Sequence, residues 1–262
     1  MCSTCYNHFV RIQSETFLNA KPETVLKDAF GYDSFRHHQE NIIRNVLSGK
    51  DTLAVMPTGG GKSLCYQIPA LILPGITIVI SPLISLMQDQ VSSLDKKGIS
   101  SVFINSTLEW EEFLETAARI KNGDVKIVYV SPEGLSSNKI KDLLTNPKVL
   151  VSCVCIDEAH CISEWGHDFR PDYLEIFQIR SLCPNAVMLA LTATATEMVR
   201  NDIVRNLGMK NPTVFISSFN RPNIYLSVKP KIAPLDLVCD CIERHKGESG
   251  IIYCPPPRHV DD

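Results

Sequence analysis

An α/β fold, with a mostly parallel central sheet flanked by helices, is what this 262-residue sequence predicts. Three observations predict it. Short β-branched runs alternate with helical patterns along most of the chain, the arrangement of parallel strands joined by crossover helices. A glycine-rich loop ending in Gly61-Lys62-Ser63 stands between one such run and a helical pattern. The composition, 44% hydrophobic and 21% charged, supplies a sizeable core and carries no disorder signature.

Taken in order, the first strand is Thr52 to Val55, followed by the loop Met56 to Ser63 and a helix opening at Gly61. Ser63 through Gln88 contains no charged residue and is long enough to span a bilayer, but Pro69, Pro74, Gly75 and Pro82 interrupt it. It divides into that helix, a strand Ile76 to Ile80 buried on both faces, and a second helix from Leu83. Further strands are Val102 to Ile104, Lys126 to Val130, Val149 to Ile156, Val187 to Leu191 and Val214 to Ile216. Trp110, Phe113, Leu114, Ala117 and Ala118 make one apolar helical stripe, as do Val199, Ile203 and Leu207. Thr194 with Glu197 reads as a capping box for the last of these helices, and Gly208 ends it. Pro212, Pro222, Pro230 and Pro234 then mark a crossing into a second domain. Ser249 to Cys254 reads as its one strand, before Pro255-Pro256-Pro257 forbids a helix.

Charge and cysteines bound the function. Lys plus Arg (26) against Asp plus Glu (29) gives a formal net charge of -3, which excludes nucleic-acid binding by bulk charge and leaves only local basic contacts. Of ten cysteines, only Cys2 and Cys5 have the spacing of a metal half-site, and no second half-site follows. Cys153 and Cys155, like Cys239 and Cys241, read as buried reduced thiols in a reducing compartment. The N-terminus has no secretory pattern, and no segment reads as a membrane span.

The loop Met56-Pro57-Thr58-Gly59-Gly60-Gly61-Lys62-Ser63 follows a strand and opens a helix, the context in which backbone N–H groups and the helix dipole cradle phosphate. Lys62 then reaches the β- and γ-phosphates, and the Ser63 hydroxyl enters the Mg²⁺ shell. The strict pattern has Gly where Met56 stands. The run Val151 to Ile156 ends in Asp157-Glu158-Ala159-His160, which puts two acids at the carboxyl end of a central strand, where ligands bind in open α/β sheets. Asp157 can hold Mg²⁺ through its water shell, and Glu158 can orient and deprotonate an attacking water. The bland alternative is a solvated turn.

Six segments in order resemble the RecQ family of DNA helicases. They are Leu26-x-x-x-Phe30-Gly31-Tyr32-x-x-Phe35-Arg36-x-x-Gln39, Met56 to Ser63, Ser81-Pro82-Leu83-Ile84-Ser85-Leu86-Met87, Asp157 to Ser163, Trp165-Gly166-His167-Asp168-Phe169-Arg170-Pro171 and Leu191-Thr192-Ala193-Thr194-Ala195. The resemblance runs from about Leu26 to Cys254. It implies a RecA-like phosphate-loop ATPase lobe at 25–212, after an N-terminal extension at 1–24. Residues 213–262 become a linker and the truncated start of a second RecA-like lobe. The implied activity is ATP-dependent 3′ to 5′ movement along single-stranded DNA with unwinding of forked DNA, in repair and recombination. The implied location is inside the cell, cytoplasmic or, in a eukaryote, nuclear.

The resemblance also assigns residues. Lys62, Asp157, Glu158 and His160 are catalytic; Thr58, Gly59, Gly60, Gly61, Lys62 and Ser63 hold ATP; Ser63 and Asp157 hold Mg²⁺. Gln39 reads the adenine edge, Tyr32 stacks on the ring and Arg36 lies close by, although helical periodicity alone leaves Gln39 facing solvent beside the apolar face of Ile42, Ile43, Val46 and Leu47. His37 and His38 stand where the family often has Pro and Gly. Trp165, His167, Phe169 and Arg170 form a loop suited to stacking on single strands, while Trp165 and Phe169 also read as core anchors. Ser81, Asn105, Ser106 and Thr107 match backbone contacts to DNA. Thr192 and Thr194 match the segment that couples DNA to ATP, with capping alone as the alternative for Thr194, and Arg221-Pro222-Asn223 matches the junction between lobes. The family's second-lobe arginine, four-cysteine zinc site and winged-helix domain have no counterpart in these 262 residues, nor do the C-terminal regions that would bind single-strand-binding or recombination proteins. The chain is therefore expected to bind Mg-ATP and to hydrolyse it poorly by itself. A non-motor ATP-binding module and an RNA helicase are the rival readings.

Overall fold

A computed structural model describes residues 17–36, 38–105, 108–166, 168–218, 224–230 and 232–253. His37, Ser106, Thr107, His167, Cys2, Cys5, the Arg221-Pro222-Asn223 junction and the Pro255 to Pro257 run lie outside them. The chain divides into two units, 1–219 and 220–262.

The first unit is built on seven strands: β1 Thr52–Val55, β2 Ile76–Ile80, β3 Ser101–Ile104, β4 Ile127–Val130, β5 Val151–Ile156, β6 Val187–Thr192 and β7 Thr213–Ile216. Their order is β3-β4-β2-β5-β6-β1-β7, and every pairing is parallel. Helices α1 Pro22–Phe30, α2 Gln39–Leu47, α3 Leu64–Ile72, α4 Ile84–Asp95, α5 Trp110–Lys121, α6 Pro132–Leu135, α7 Asn138–Leu144, α8 Ile179–Leu182 and α9 Glu197–Asn206 connect or flank them. Strands covered by helices on both faces need apolar side chains throughout, and β1, β2 and β4 are buried at every position. Alternation sorts these side chains to two core clusters. Val154 and Ile156 of β5 face one, with Ile78 and Phe113; Cys153 and Cys155 face the other, with Cys65, Ile42 and Tyr66. The spacing of that cysteine pair is thus the period of a strand.

Several expectations change. Strand β7 pairs with β1 along Thr52↔Thr213 to Val55↔Ile216, so the sheet extends past residue 212. Pro69 does not interrupt α3; it sits inside a helix whose residues from Cys65 to Ile72 are all buried, and packing outweighs the one lost hydrogen bond. In α5, Phe113, Ala117 and Ile120 are buried while Trp110 and Leu114 are exposed, with Trp110 stacked on Phe113 at 5.8 Å. The cap of α9 is Thr196, which accepts from the Val199 N–H, and not Thr194.

The second unit contains α10, Pro234–Arg244, with no buried residue, so Cys239 and Cys241 are exposed thiols. Residues 249–253 form no strand, because among the described residues of that unit none pairs with them. No helix among the described residues is long and apolar enough to cross a membrane.

Candidate functional site

Parallel strands bring their carboxyl ends to one edge, and the loops after β1, β5 and β6 meet there because β6 lies between β1 and β5. The ladder runs on into the loops: Met56 N–H donates to Thr192 O at 2.9 Å, and Asp157 N–H to Ile80 O at 2.8 Å.

The phosphate loop is drawn tight by α2. Gln39, 1% exposed, donates from Nε2 to the carbonyls of Gly61 at 3.0 Å and Gly60 at 3.3 Å, and its Oε1 accepts from Arg36 N–H at 2.8 Å. It does not face solvent. Only glycine fits at 61, where φ is +76° and a Cβ would lie 2.2 Å from Gln39 Nε2. Tyr32, Arg36, Gln39, Gly61, Ser63 and Lys97 line a cavity of about 230 Å³ beside the loop. Thr58 and Gly59 are exposed at the loop's tip.

Lys62 Nζ lies 3.4 Å from Glu158 Oε1, although the two are 96 positions apart in the chain. Glu158 has φ +46° and ψ +45°, the left-handed region that costs a residue with a side chain. Asp157 Oδ1 accepts from Glu158 N–H at 3.0 Å. Burial, and then the charge of Glu158, push the Asp157 carboxyl up to about 6, against the opposing pull of Lys62 and that N–H. Behind the acids, Tyr173 OH donates to Asp157 O at 3.1 Å.

His160 ties the acid loop to the turn after β6. Its Nδ1 is 2.9 Å from Thr192 Oγ1 and 3.4 Å from Glu158 Oε2. Thr192 Oγ1 donates to Thr194 O at 3.0 Å, so its single hydrogen is used and it accepts from His160, which fixes the proton on Nδ1. Thr194 N–H also donates to Thr192 Oγ1, at 3.3 Å.

The candidate nucleic-acid residues separate into two sets. Trp165 is 71% exposed, so it is not a core anchor; Phe169 and Arg170 are part-buried and Thr194 is exposed. Their loop is fixed through Ser163, whose Oγ donates to Asp202 Oδ2 at 2.8 Å and accepts from Trp165 N–H at 3.3 Å. Arg170 pairs with Asp168 at 3.1 Å. Gly166 has no room for a Cβ, which would lie 2.5 Å from His160 O. By contrast Ser81, at 3% exposure, and Thr192, at 0%, are enclosed. Asn105 follows β3, the edge strand, five places from β1 and about 24 Å away at the usual spacing. The sequence reading missed Gln67, which bonds Gln90 at 2.9 Å, and the pair Tyr66 and Tyr129, whose hydroxyls are 3.2 Å apart. Gln67 lies one turn after Ser63 on α3, and that spacing alone could have singled it out.

A phosphate loop at one strand end and an acid pair at another, joined by a lysine–glutamate contact, define a phosphate-loop nucleotide-binding domain. A family profile for DEAD/DEAH box helicases matches residues 36–202. The chain belongs to the DEAD/DEAH box helicase family. Over 230 residues it is 49% identical to the ATP-dependent DNA helicase RecQ of Pasteurella multocida, covering 88% of this chain and 36% of that protein. The RecQ of Haemophilus influenzae is 48% identical over 238 residues, 91% of this chain and 38% of that one. The chain thus spans less than two fifths of the length of these relatives. Among solved structures, the DUF1998 helicase MrfA superposes with a TM-score of 0.63 at 19% identity, over 86% of this chain and 37% of MrfA, a likeness of fold.

Proposed function

We propose that this chain is the ATP-binding lobe of a RecQ-type DNA helicase, which couples ATP hydrolysis to 3′ to 5′ movement on single-stranded DNA and opens forked DNA. The observation that carries the reading is the 3.4 Å approach of Lys62 to Glu158, which brings the phosphate loop and the acid pair into one site. In this reading Lys62 exchanges Glu158 for the β- and γ-phosphates, and the freed Glu158 orients water and takes its proton. Thr58 to Ser63 wrap the phosphates, Tyr32 stacks on the base with Arg36 beside it, and Gln39 exchanges the loop carbonyls for the adenine edge.

The residues present fit magnesium. The Ser63 hydroxyl and the Asp157 carboxylate come together at one small cavity, a pair of hard oxygens of the kind that ion takes. When bound, magnesium neutralises charge on the phosphate oxygens. Trp165, Phe169 and Arg170 meet the bases and backbone of a single strand, with Thr194 and Asn105 as further contacts. His160, held to Thr192, carries displacement of the turn after β6 to Glu158. Such a protein works where DNA is, in the cytoplasm or the nucleus. The relatives named as DNA helicases, at 48–49% identity, support DNA over RNA as the strand.

The test is a pair of variants. Lys62→Ala should abolish binding of ATP with magnesium. Glu158→Gln should bind at least as well as the parent and lose the parent's slow phosphate release by about 10²-fold or more. Full turnover in Glu158→Gln would remove Glu158 from this role.

A further inference from the structure

Ser81 directly follows β2 and is enclosed, yet its Oγ finds no hydrogen-bond partner among the described residues. Leaving a buried hydroxyl unpaired costs stability, so native proteins rarely do so without a further group. The same hydroxyl lines a cavity of about 20 Å³ with Ser63, Tyr66, Tyr129 and Asp157. One water needs about 10–15 Å³ of such room and two to four polar partners, and this cavity supplies both. Tyr66 and Tyr129 share one hydrogen bond, at 3.2 Å, and Tyr129 also bonds Gln67; with one hydrogen and two lone pairs on each hydroxyl, capacity for a further partner is left.

We propose that Ser81, the Tyr66–Tyr129 pair and Asp157 hold one ordered water, and that this water fixes the Asp157 carboxylate in the orientation that receives magnesium. The inference rests on the reading of Ser63 and Asp157 as magnesium-binding. Ser81 is then a positioning residue that acts through Asp157. It follows β2, which pairs with β5 on the side away from β6 and β1, the strand that leads into the loop of Lys62. The two tyrosines come from α3, directly after the phosphate loop, and from β4. One water would thereby connect the loop's helix, β2, β4 and the acid.

The experiment is a magnesium titration of the binding of a non-hydrolysable ATP analogue by the 262-residue chain, its Ser81→Ala variant and its Tyr129→Phe variant, which keeps the ring volume. Thermal midpoints are taken without nucleotide or metal, and single-strand affinity is measured for each. Both variants should raise the magnesium midpoint about 3- to 10-fold, the loss of one hydrogen bond, and leave analogue affinity in chelator unchanged. Ser81→Ala should also lower the thermal midpoint. A raised thermal midpoint with the parent's magnesium dependence would mean that the hydroxyl is simply unsatisfied, and would overturn the proposal. Weaker single-strand binding with an unchanged magnesium midpoint would return Ser81 to the nucleic-acid surface and overturn it too. If the parent chain itself showed no magnesium dependence, the underlying reading of Ser63 and Asp157 would fall first.

Discussion

Asp51 and Asp157 are carboxylates at opposite edges of one sheet, and their surroundings differ in kind. Asp51, just before β1, accepts from Met188 N–H at 2.9 Å and Lys210 N–H at 2.7 Å, and it pairs with Arg180, which donates to Ala186 O at 2.9 Å. Among the described residues, Arg180 Nε is the only hydrogen-bonding atom of that group without a partner. Asp157 accepts from a single N–H, lies against the like charge of Glu158, and adjoins a backbone held at positive φ. The groups around Asp51 are spent on each other and fix how β1, β6 and the segment before β7 meet. Those around Asp157 leave lone pairs, a raised carboxyl and an unpaired serine for a ligand to satisfy. Stability and binding are thus divided between these two carboxylate clusters, as expected where a site is held in readiness.

The largest effect that would break this comparison is at Asp51. Asp51→Ala leaves the part-buried Arg180 guanidinium without its counter-charge and two backbone N–H groups unpaired. A loss of about 3–5 kcal/mol in unfolding free energy is expected by chemical denaturation. A loss below about 1 kcal/mol would show that the amino edge is not held by charge.

At the other edge the sign reverses. The folded Asp157 carboxyl keeps its proton to about pH 6, whereas the unfolded chain releases it near 3.9. Between those values the folded state binds the extra proton, so stability falls as pH rises through that window and stays lower above it. Asp157→Asn cannot titrate. Its thermal midpoint should exceed the parent's by a few degrees above pH 6, and the two should converge near pH 4 in a series of thermal scans. Equal midpoints at pH 7 would mean that Asp157 is as well satisfied as Asp51.

How much of this was legible follows from the range of the forces involved. Buried parallel strands are runs of β-branched residues, so Ile76 to Ile80 and Val151 to Ile156 declare themselves without a partner. The loop from Met56 to Ser63 and the acids at 157 and 158 are local signatures at strand ends. Gln39 is different: periodicity turns it to solvent, and only the carbonyls of Gly60 and Gly61, more than 20 positions away, bury it. Ser81 reads as one more polar residue after a strand, because its enclosure depends on where β4 and β5 fall beside it. Residues 249–253 carry the pattern of a strand, but a strand exists only with a neighbour to pair with. The cap of α9 shifted from Thr194 to Thr196 because the Thr192 hydroxyl already engages the backbone of Thr194.

Trp165 sharpens the comparison from its lower end, where folding stability should hardly change. An exposed side chain in a loop anchored by Ser163 and Gly166 contributes little packing, so Trp165→Ala should leave the unfolding free energy within about 0.5 kcal/mol of the parent. Its ring instead faces a crevice lined by His160, Thr194, Thr196 and Val199, next to the turn that meets the acid loop. If bases stack there, the same substitution should weaken single-strand binding by about 1–3 kcal/mol, read by fluorescence anisotropy with a short labelled oligonucleotide at fixed salt. A variant that unfolds early would make Trp165 part of the core after all. A variant that keeps both its stability and its affinity would move the single strand to another part of the carboxyl edge, and the contrast would then have to stand on Asp51 and Asp157 alone.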